Sequence, residues 1–278
     1  MAERVRAFGR AYDQLRPICV QYDVYGYAAA SVLLALGNTK VLCAVDMQQG
    51  VPSFLRGKKT GWLKAEYGML PMSTTTRFAR ESTTCSKNGR LIEISRLIGR
   101  SLRSSMNLDV IGERTITIDC DVLQADGGTR TACITGASLA LFHAAQRWKA
   151  AGEITGELLR ERVGAISIGI LQDDILLDLD CAEDTTIDAD FNFVLTESGA
   201  IVEIQGTAEQ KPVNWPQFTT MCALASKGVR DLFAQLHQQP IKAIDRKFEQ
   251  DCIKKPPLFS LANRITIKRN DDGSLNIP

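Results

Sequence analysis

The chain has 278 residues, of which 45% are hydrophobic and 23% are charged, and its formal net charge is +1 at pH 7. This length is enough for one large domain or two small ones, and the composition is ordinary for a globular protein. The net charge does not by itself indicate a nucleic-acid-binding protein. No run approaches the roughly 18 apolar residues of a membrane span, and the N-terminal segment lacks the apolar stretch of a signal peptide.

Charge is unevenly distributed along the chain. Residues 1–118 carry 17 Lys and Arg against 9 Asp and Glu, whereas the remaining 160 residues carry 16 against 23. A basic half joined to an acidic half fits an anionic polymer on one side and a metal or acid–base site on the other. Chance clustering of surface charges explains these counts equally well.

The eight cysteines and two histidines do not form a metal-binding pattern. No two cysteines have Cys-x-x-Cys spacing, and His143 and His237 lie far apart in helical patterns. We therefore expect reduced, mostly buried thiols, a cytoplasmic location and no zinc site.

The first half predicts a hairpin, two helices and a strand. Residues 31–36 and 40–46 are β-rich runs around Gly37 and Asn38, which predicts a hairpin. A long polar loop is predicted over residues 71–90. Helical spacing follows over 91–106, strict alternation over 115–123 predicts a half-buried strand, and residues 130–149 predict a helix of about five turns.

The second half repeats the order of strands followed by a helix. Strands are predicted over 163–171 and 175–179, then over 189–196 and 200–205, and a helix over 215–236. Strands paired as hairpins favour an α+β fold over a doubly wound parallel sheet. Residues 1–244 are predicted to form the main domain and 245–278 a partly ordered tail.

Residues 126–131 form a candidate anion site. Gly127 and Gly128, between a strand and a helix, allow a tight turn and close approach to a ligand. The new helix offers unpaired N–H groups, Thr129 adds a hydroxyl, and Arg130 adds a planar guanidinium group. A plain helix N-cap, with Arg130 facing solvent, is the alternative.

Carboxylates are dense where the strand over 175–179 ends, and such a cluster suits Mg²⁺ or a general acid. A solvated acidic turn explains it as well. The residues concerned are Asp178, Asp180, Glu183, Asp184, Asp188 and Asp190.

The loop over residues 71–90 is basic, with Arg77, Arg80, Lys87 and Arg90. Phosphate neutralisation requires such side chains, and a base could stack on Phe78 between two of the arginines. An ordinary flexible basic loop is the alternative.

Together these stretches resemble the ribonuclease PH family over roughly residues 10–237. The matching strings, in chain order, are DQLRP from residue 13, SVLLALGNTKVLC from 31, GVPSFLRG from 50, GWLKAEYGMLP from 61, STTTRFAR from 73, GRLIEISRLIGRSLR from 89, GERTITIDCDVLQADGGTRTACITGA from 112, LLDLDCAED from 176 and VEIQGTAE from 202. The resemblance implies an α+β fold of two similar halves, with hairpin-rich sheets packed against helices, that assembles into a homo-hexamer as a trimer of dimers.

The resemblance also implies a role for each matching residue. It assigns phosphate binding to Arg90, Gly128, Thr129 and Arg130, and RNA binding to Arg77 and Arg80. It assigns catalysis and Mg²⁺ binding to the paired aspartates Asp178 and Asp184. At position 72, Met72 departs from the family pattern, which has an arginine there.

The activity implied is that of a phosphorolytic 3′→5′ exoribonuclease, a tRNA nucleotidyltransferase. Such an enzyme uses inorganic phosphate to trim the 3′ ends of tRNA precursors, and possibly of rRNA, releasing nucleoside diphosphates. One alternative is a catalytically inert RNA-binding or scaffold subunit of a ring. Others are an assembly role of the tail and a metal-dependent hydrolase that would release monophosphates.

Overall fold

A computed structural model describes residues 6–80, 88–239, 268–269 and 275–276. The chain forms two compact units, Met1–Ile244 and Asp245–Pro278. In the second unit the described residues form one short antiparallel pair, Lys268–Arg269 with Leu275–Asn276. The rest of the predicted tail lies outside the described residues.

The first half of the larger unit is a five-stranded sheet. Its order is β1-β2-β3-β5-β4, and all neighbours are antiparallel except the parallel pair β4–β5. The predicted hairpin and the predicted strand over 115–123 are confirmed. The strands are β1 (Ile18–Tyr22), β2 (Ala30–Leu36), β3 (Thr39–Gln49), β4 (Trp62–Met69) and β5 (Arg114–Gln124).

The second half is a four-stranded antiparallel sheet in the order β7-β6-β8-β9. Both predicted strand pairs are present, which confirms the α+β class with hairpin-rich sheets. The strands are β6 (Val163–Leu171), β7 (Asp174–Leu177), β8 (Ala189–Thr196) and β9 (Ile201–Ala208).

In the described part of the chain, four α-helices accompany the sheets: α1 (Gly89–Arg103), α2 (Thr129–Ala150), the single turn α3 (Cys181–Asp184) and α4 (Trp215–Gln238). Helix α2 contacts β2 and β3 of the first sheet and β6 of the second. Its residues 131–141 are all buried, as expected for a helix covered on every side. The Thr135 and Ser138 hydroxyls accept hydrogen bonds from the β6 amides of Ala165 and Val163, so α2 joins the two halves.

Two predicted boundaries next to the site are wrong. Strand β7 ends at Leu177 because Asp178 adopts a left-handed φ of 57°, which no strand tolerates. The loop over residues 71–90 ends earlier than predicted, because the Asn88 side chain accepts a hydrogen bond from the Arg90 amide and caps α1. Arg90 is therefore a helix residue. Residues 81–87 of this loop lie outside the described residues.

Two further observations concern the cysteines and the helices. Six cysteines are described and all are free thiols, of which Cys43, Cys120 and Cys133 are buried. None of the described helices combines the length and apolarity that crossing a bilayer requires.

Candidate active site

A cavity of about 520 Å³ is lined by residues from both halves of the larger unit. The first half contributes the end of β4, the loop after it, the turn after β5 and the starts of α1 and α2. The second half contributes α3 and residues of β6, β8 and β9. Among the lining residues are Tyr67, Phe78, Arg90, Gly127, Gly128, Thr129, Arg130, Ser167, Cys181, Asp184, Asp190, Asn192 and Glu209.

The turn between β5 and α2 has the geometry predicted for an anion site. Gly127 and Gly128 have φ values of 76° and 64°, which other residues adopt only with strain. Among the residues that the structure describes, none accepts a hydrogen bond from the backbone N–H groups of residues 127–130. Four unpaired N–H groups at the start of a long helix favour a bound anion.

Two arginines border this turn. Arg90 lies in the first turn of α1 and Arg130 in the first turn of α2, and both line the cavity. In the described part of the chain, neither guanidinium group has a hydrogen-bond or ion-pair partner. The structure therefore brings together Arg90, Gly128, Thr129 and Arg130, the four residues predicted to bind phosphate.

Tyr67 belongs to the same cavity, although its residue pattern gave no indication of a role. Its hydroxyl donates a hydrogen bond to Thr129 Oγ1 at 3.0 Å. Burial raises the pKa of Tyr67 to about 12, and nearby Arg90 and Arg130 only partly oppose this shift. Tyr67 is therefore a neutral donor at physiological pH, and the proton of the Thr129 hydroxyl stays available for a ligand.

Asp184 is the predicted catalytic carboxylate that faces the cavity. It ends α3, is exposed to solvent there, and its carboxylate has no described hydrogen-bond partner. Partial desolvation by the surrounding protein raises the pKa of Asp184, and the negative charge of Asp190 raises it further. Arg130 and Arg90 act in the opposite direction, which places both arginines within electrostatic range of this carboxyl.

Asp178 lies elsewhere. It is 3% exposed, does not line the cavity, and forms a bidentate ion pair with Arg16. Its charge is compensated by the Arg16 guanidinium group, away from the residues that line the cavity.

The rest of the acidic segment is divided between ion pairs and the cavity. Glu183 accepts two hydrogen bonds from Arg6, at 2.6 and 2.9 Å, and Arg10 approaches both Glu183 and Asp180. Burial alone would raise the pKa of Glu183, but the hydrogen bonds and charge of Arg6 lower it. In the described part of the chain, no group of three His, Cys, Asp or Glu side chains could enclose a metal ion.

The predicted RNA-binding arginines lie beside the cavity but do not line it. Arg77 and Arg80 are both exposed, and Phe78 between them lines the cavity and packs against the core. Met72, in place of the family arginine, is 74% exposed. Lys87 lies outside the described residues.

Among the solved structures of similar fold are rice Rrp46 and chains of two archaeal exosomes. Rrp46 of rice (Oryza sativa) is 20% identical with a TM-score of 0.66, over 84% of this chain and 100% of its own. A chain of the Archaeoglobus fulgidus exosome with RNA bound to the active site is 20% identical with a TM-score of 0.70, over 83% of this chain and 92% of its own. A chain of an archaeal exosome core is 19% identical with a TM-score of 0.65, over 83% of this chain and 90% of its own. At these identities the likeness shows the fold.

Matches to protein families cover most of the larger unit. Residues 14–146 match domain 1 of the 3′ exoribonuclease family, and residues 161–228 match domain 2. These ranges coincide with the two sheets and their helices, which confirms the predicted ribonuclease PH-like fold of two halves. The chain therefore belongs to the 3′ exoribonuclease family, the family of ribonuclease PH.

Proposed function

We propose that this protein is a phosphate-dependent 3′→5′ exoribonuclease. The observation that carries the proposal is the composition of the cavity. An anion-binding turn with Arg90 and Arg130 lies on one side, and Asp184, with a raised pKa, lies on the other. A scaffold subunit requires neither unpaired arginines nor a protonatable carboxyl in one cavity.

In the proposed reaction, inorganic phosphate is held by Arg90, Arg130, the Thr129 hydroxyl and the N–H groups of the turn. A phosphate oxygen attacks the phosphorus of the last phosphodiester, and the bond from that phosphorus to the 3′ oxygen breaks. The leaving oxygen takes a proton from Asp184 in its protonated form, or from water where Asp184 is ionised and holds Mg²⁺. The products are a nucleoside diphosphate and an RNA shortened by one nucleotide. Such a step depends mainly on positioning and charge neutralisation.

Magnesium is part of the proposal. Mg²⁺ commonly binds through one or two carboxylates and the phosphates of the substrate, so it does not require a complete protein cage. Asp184 fits this arrangement because its carboxylate has no described partner and Asp190 lines the same cavity. When bound, the ion would neutralise charge on the reacting phosphates.

RNA is the proposed polymer, with Arg77 and Arg80 as phosphate contacts and Phe78 as a stacking surface. Precursor tRNA with a 3′ extension is the substrate that the family resemblance suggests, acted on by a cytoplasmic homo-hexamer.

A second candidate is an RNA-binding subunit of a ring that has little or no activity of its own. Two of the similar solved structures are chains of archaeal exosomes, and this observation favours a ring subunit over trimming of tRNA. The two candidates share RNA binding and differ in turnover.

The test is RNA shortening with and without inorganic phosphate, using a single-stranded 3′ tail on a duplex. We expect shortening only with phosphate, and its loss in Arg130→Gln. Arg160→Gln is the matched control, because Arg160 is exposed and does not line the cavity. RNA binding without shortening by the wild-type protein would contradict the enzyme proposal and favour the ring subunit.

A further inference from the structure

The buried arginine beneath the anion-binding turn has no role in the mechanism above. Arg16 is fully buried. Its Nε and Nη2 atoms donate to the two carboxylate oxygens of Asp178 at 3.0 and 2.7 Å. Its backbone N–H donates to the same carboxylate at 2.7 Å. Arg16 and Asp178 are thus fixed relative to each other by three hydrogen bonds.

The third guanidinium nitrogen of Arg16 contacts the turn itself. Nη1 donates to the carbonyl oxygen of Asp126 at 2.6 Å, and lies 3.4 Å from that of Gly127. The Thr39 hydroxyl donates to the Gly127 carbonyl at 2.7 Å. Two successive carbonyl groups of the turn are therefore held on the side of Arg16.

This arrangement sets the direction of the N–H groups. A planar trans peptide directs its N–H opposite to its C=O. The N–H groups of Gly127 and Gly128 therefore point away from Arg16, and both glycines line the cavity. A Cβ atom on Gly128 would lie 2.9 Å from Arg16 Nη2, so the turn rests directly on the guanidinium group.

We propose that Arg16 and Asp178 are a positioning pair that directs the N–H groups of Gly127 and Gly128 towards the attacking phosphate. This inference rests on the proposed function. It gives Asp178 a different role from the catalytic and metal-binding one that the resemblance implies, because Asp178 is buried against Arg16 and does not line the cavity.

The first test compares Arg16→Lys with Arg6→Lys. Lysine keeps the charge but loses the planar fork that bonds Asp178 and the turn together. Arg6 is the matched control, because it forms a buried bidentate pair with Glu183 from the same N-terminal segment and touches no residue of the turn. It contacts Asp178 through the backbone carbonyl oxygen, at 3.4 Å, and not through the carboxylate. We expect Arg16→Lys to raise the KM for phosphate roughly 10- to 100-fold, as for weakened hydrogen bonds to a charged ligand, with kcat at saturating phosphate within about threefold. Equal effects of the two variants on this KM would overturn the inference.

Asp178→Asn separates positioning from metal binding. The inference predicts a phosphate KM raised as in Arg16→Lys, and an unchanged Mg²⁺ concentration for half-maximal rate. A raised Mg²⁺ requirement with an unchanged phosphate KM would instead support Asp178 as a metal ligand and refute the positioning role.

A milder variant covers the case in which Arg16→Lys does not fold. Thr39→Val keeps the shape of the side chain and removes the hydroxyl, which donates to the Gly127 carbonyl and accepts from the Asp126 N–H at 3.0 Å. We expect the same selective rise in phosphate KM, smaller in size. An unchanged phosphate KM in Thr39→Val would count against the positioning of the turn by its carbonyl groups.

Calorimetric titration with inorganic phosphate alone keeps the two proposals distinguishable. If the wild-type protein binds phosphate but releases no diphosphate, the proposed function fails, and the weaker phosphate binding expected of Arg16→Lys still tests the inference. If the wild-type protein binds no phosphate, the inference is overturned as well.

Discussion

Gly127, in the turn of the first half, lies directly against the backbone of residues 179–181 in the second half, and Gly127→Ala is therefore an informative substitution. A Cβ atom there would lie 2.6 Å from the carbonyl carbon of Asp180 and 2.7 Å from the carbonyl oxygen of Leu179. Both atoms belong to the backbone, which cannot rotate away as a side chain can. The substitution must therefore displace the segment that carries Asp184.

Two costs add in this variant. A non-glycine residue in the left-handed region costs about 1–2 kcal/mol. Overpacking against a rigid neighbour costs a further ~1–3 kcal/mol. The sum is a large fraction of the roughly 5–15 kcal/mol that stabilises a typical protein.

Gly152→Ala is the matched control, because Gly152 has a φ of 74°, close to the 76° of Gly127, with no atom within 4 Å of the added Cβ. It should show only the conformational cost. With a urea m-value of about 2 kcal/mol/M, a difference of ~2 kcal/mol between the variants separates their unfolding midpoints by about 1 M. Equal midpoints would refute the close approach of the two halves at this turn. Gly127→Ala should also lose phosphate binding, whereas Gly152→Ala should retain it.

Three further predictions follow from the cavity. Tyr67→Phe removes the hydrogen bond to Thr129, so we expect a several-fold rise in phosphate KM with a stability loss of about 0.5–1.5 kcal/mol, measured by kinetics and urea unfolding. If Asp184 donates the proton, its protonated form is active, and kcat should fall as pH rises through the raised pKa of Asp184. A kcat that instead rises with pH would indicate that Asp184 acts as an ionised metal ligand. Arg77→Gln and Arg80→Gln should each weaken RNA binding and reduce the magnitude of the slope of log affinity against log salt by about 1. Unchanged slopes in titrations at several KCl concentrations would show that these two residues do not contact RNA phosphates.

Elements formed by neighbouring residues were predictable from the sequence. The hairpin of β2 and β3 follows from two β-rich runs around Gly37 and Asn38, and the alternation in β5 shows directly in its buried residues. Strand β4 was not predicted, because it contains Lys, Glu, Ala and Gly, which have low strand propensity. It forms a strand through its parallel pairing with β5, about 50 positions further along the chain.

The candidate site was predictable where one segment builds it. The turn at Gly127 and Gly128, with Arg130, has its own sequence pattern. The acidic segment was less informative. Nothing in its sequence indicates that Asp184 faces the cavity whereas Asp178 is buried in an ion pair. The partner that distinguishes Asp178 is Arg16, 162 positions earlier in the chain. Only the folded chain shows which carboxylates are neutralised.

The measurement that tests the central claim most directly is the fate of labelled inorganic phosphate. The purified full chain would be incubated with RNA, Mg²⁺ and ³²P-phosphate, and the released nucleotides would be separated and identified. Phosphorolysis predicts nucleoside diphosphates that carry the label in the β-phosphate, in the wild-type protein and in Arg160→Gln but not in Arg130→Gln. Unlabelled nucleoside monophosphates, released equally without phosphate, would contradict the proposed function and indicate hydrolysis.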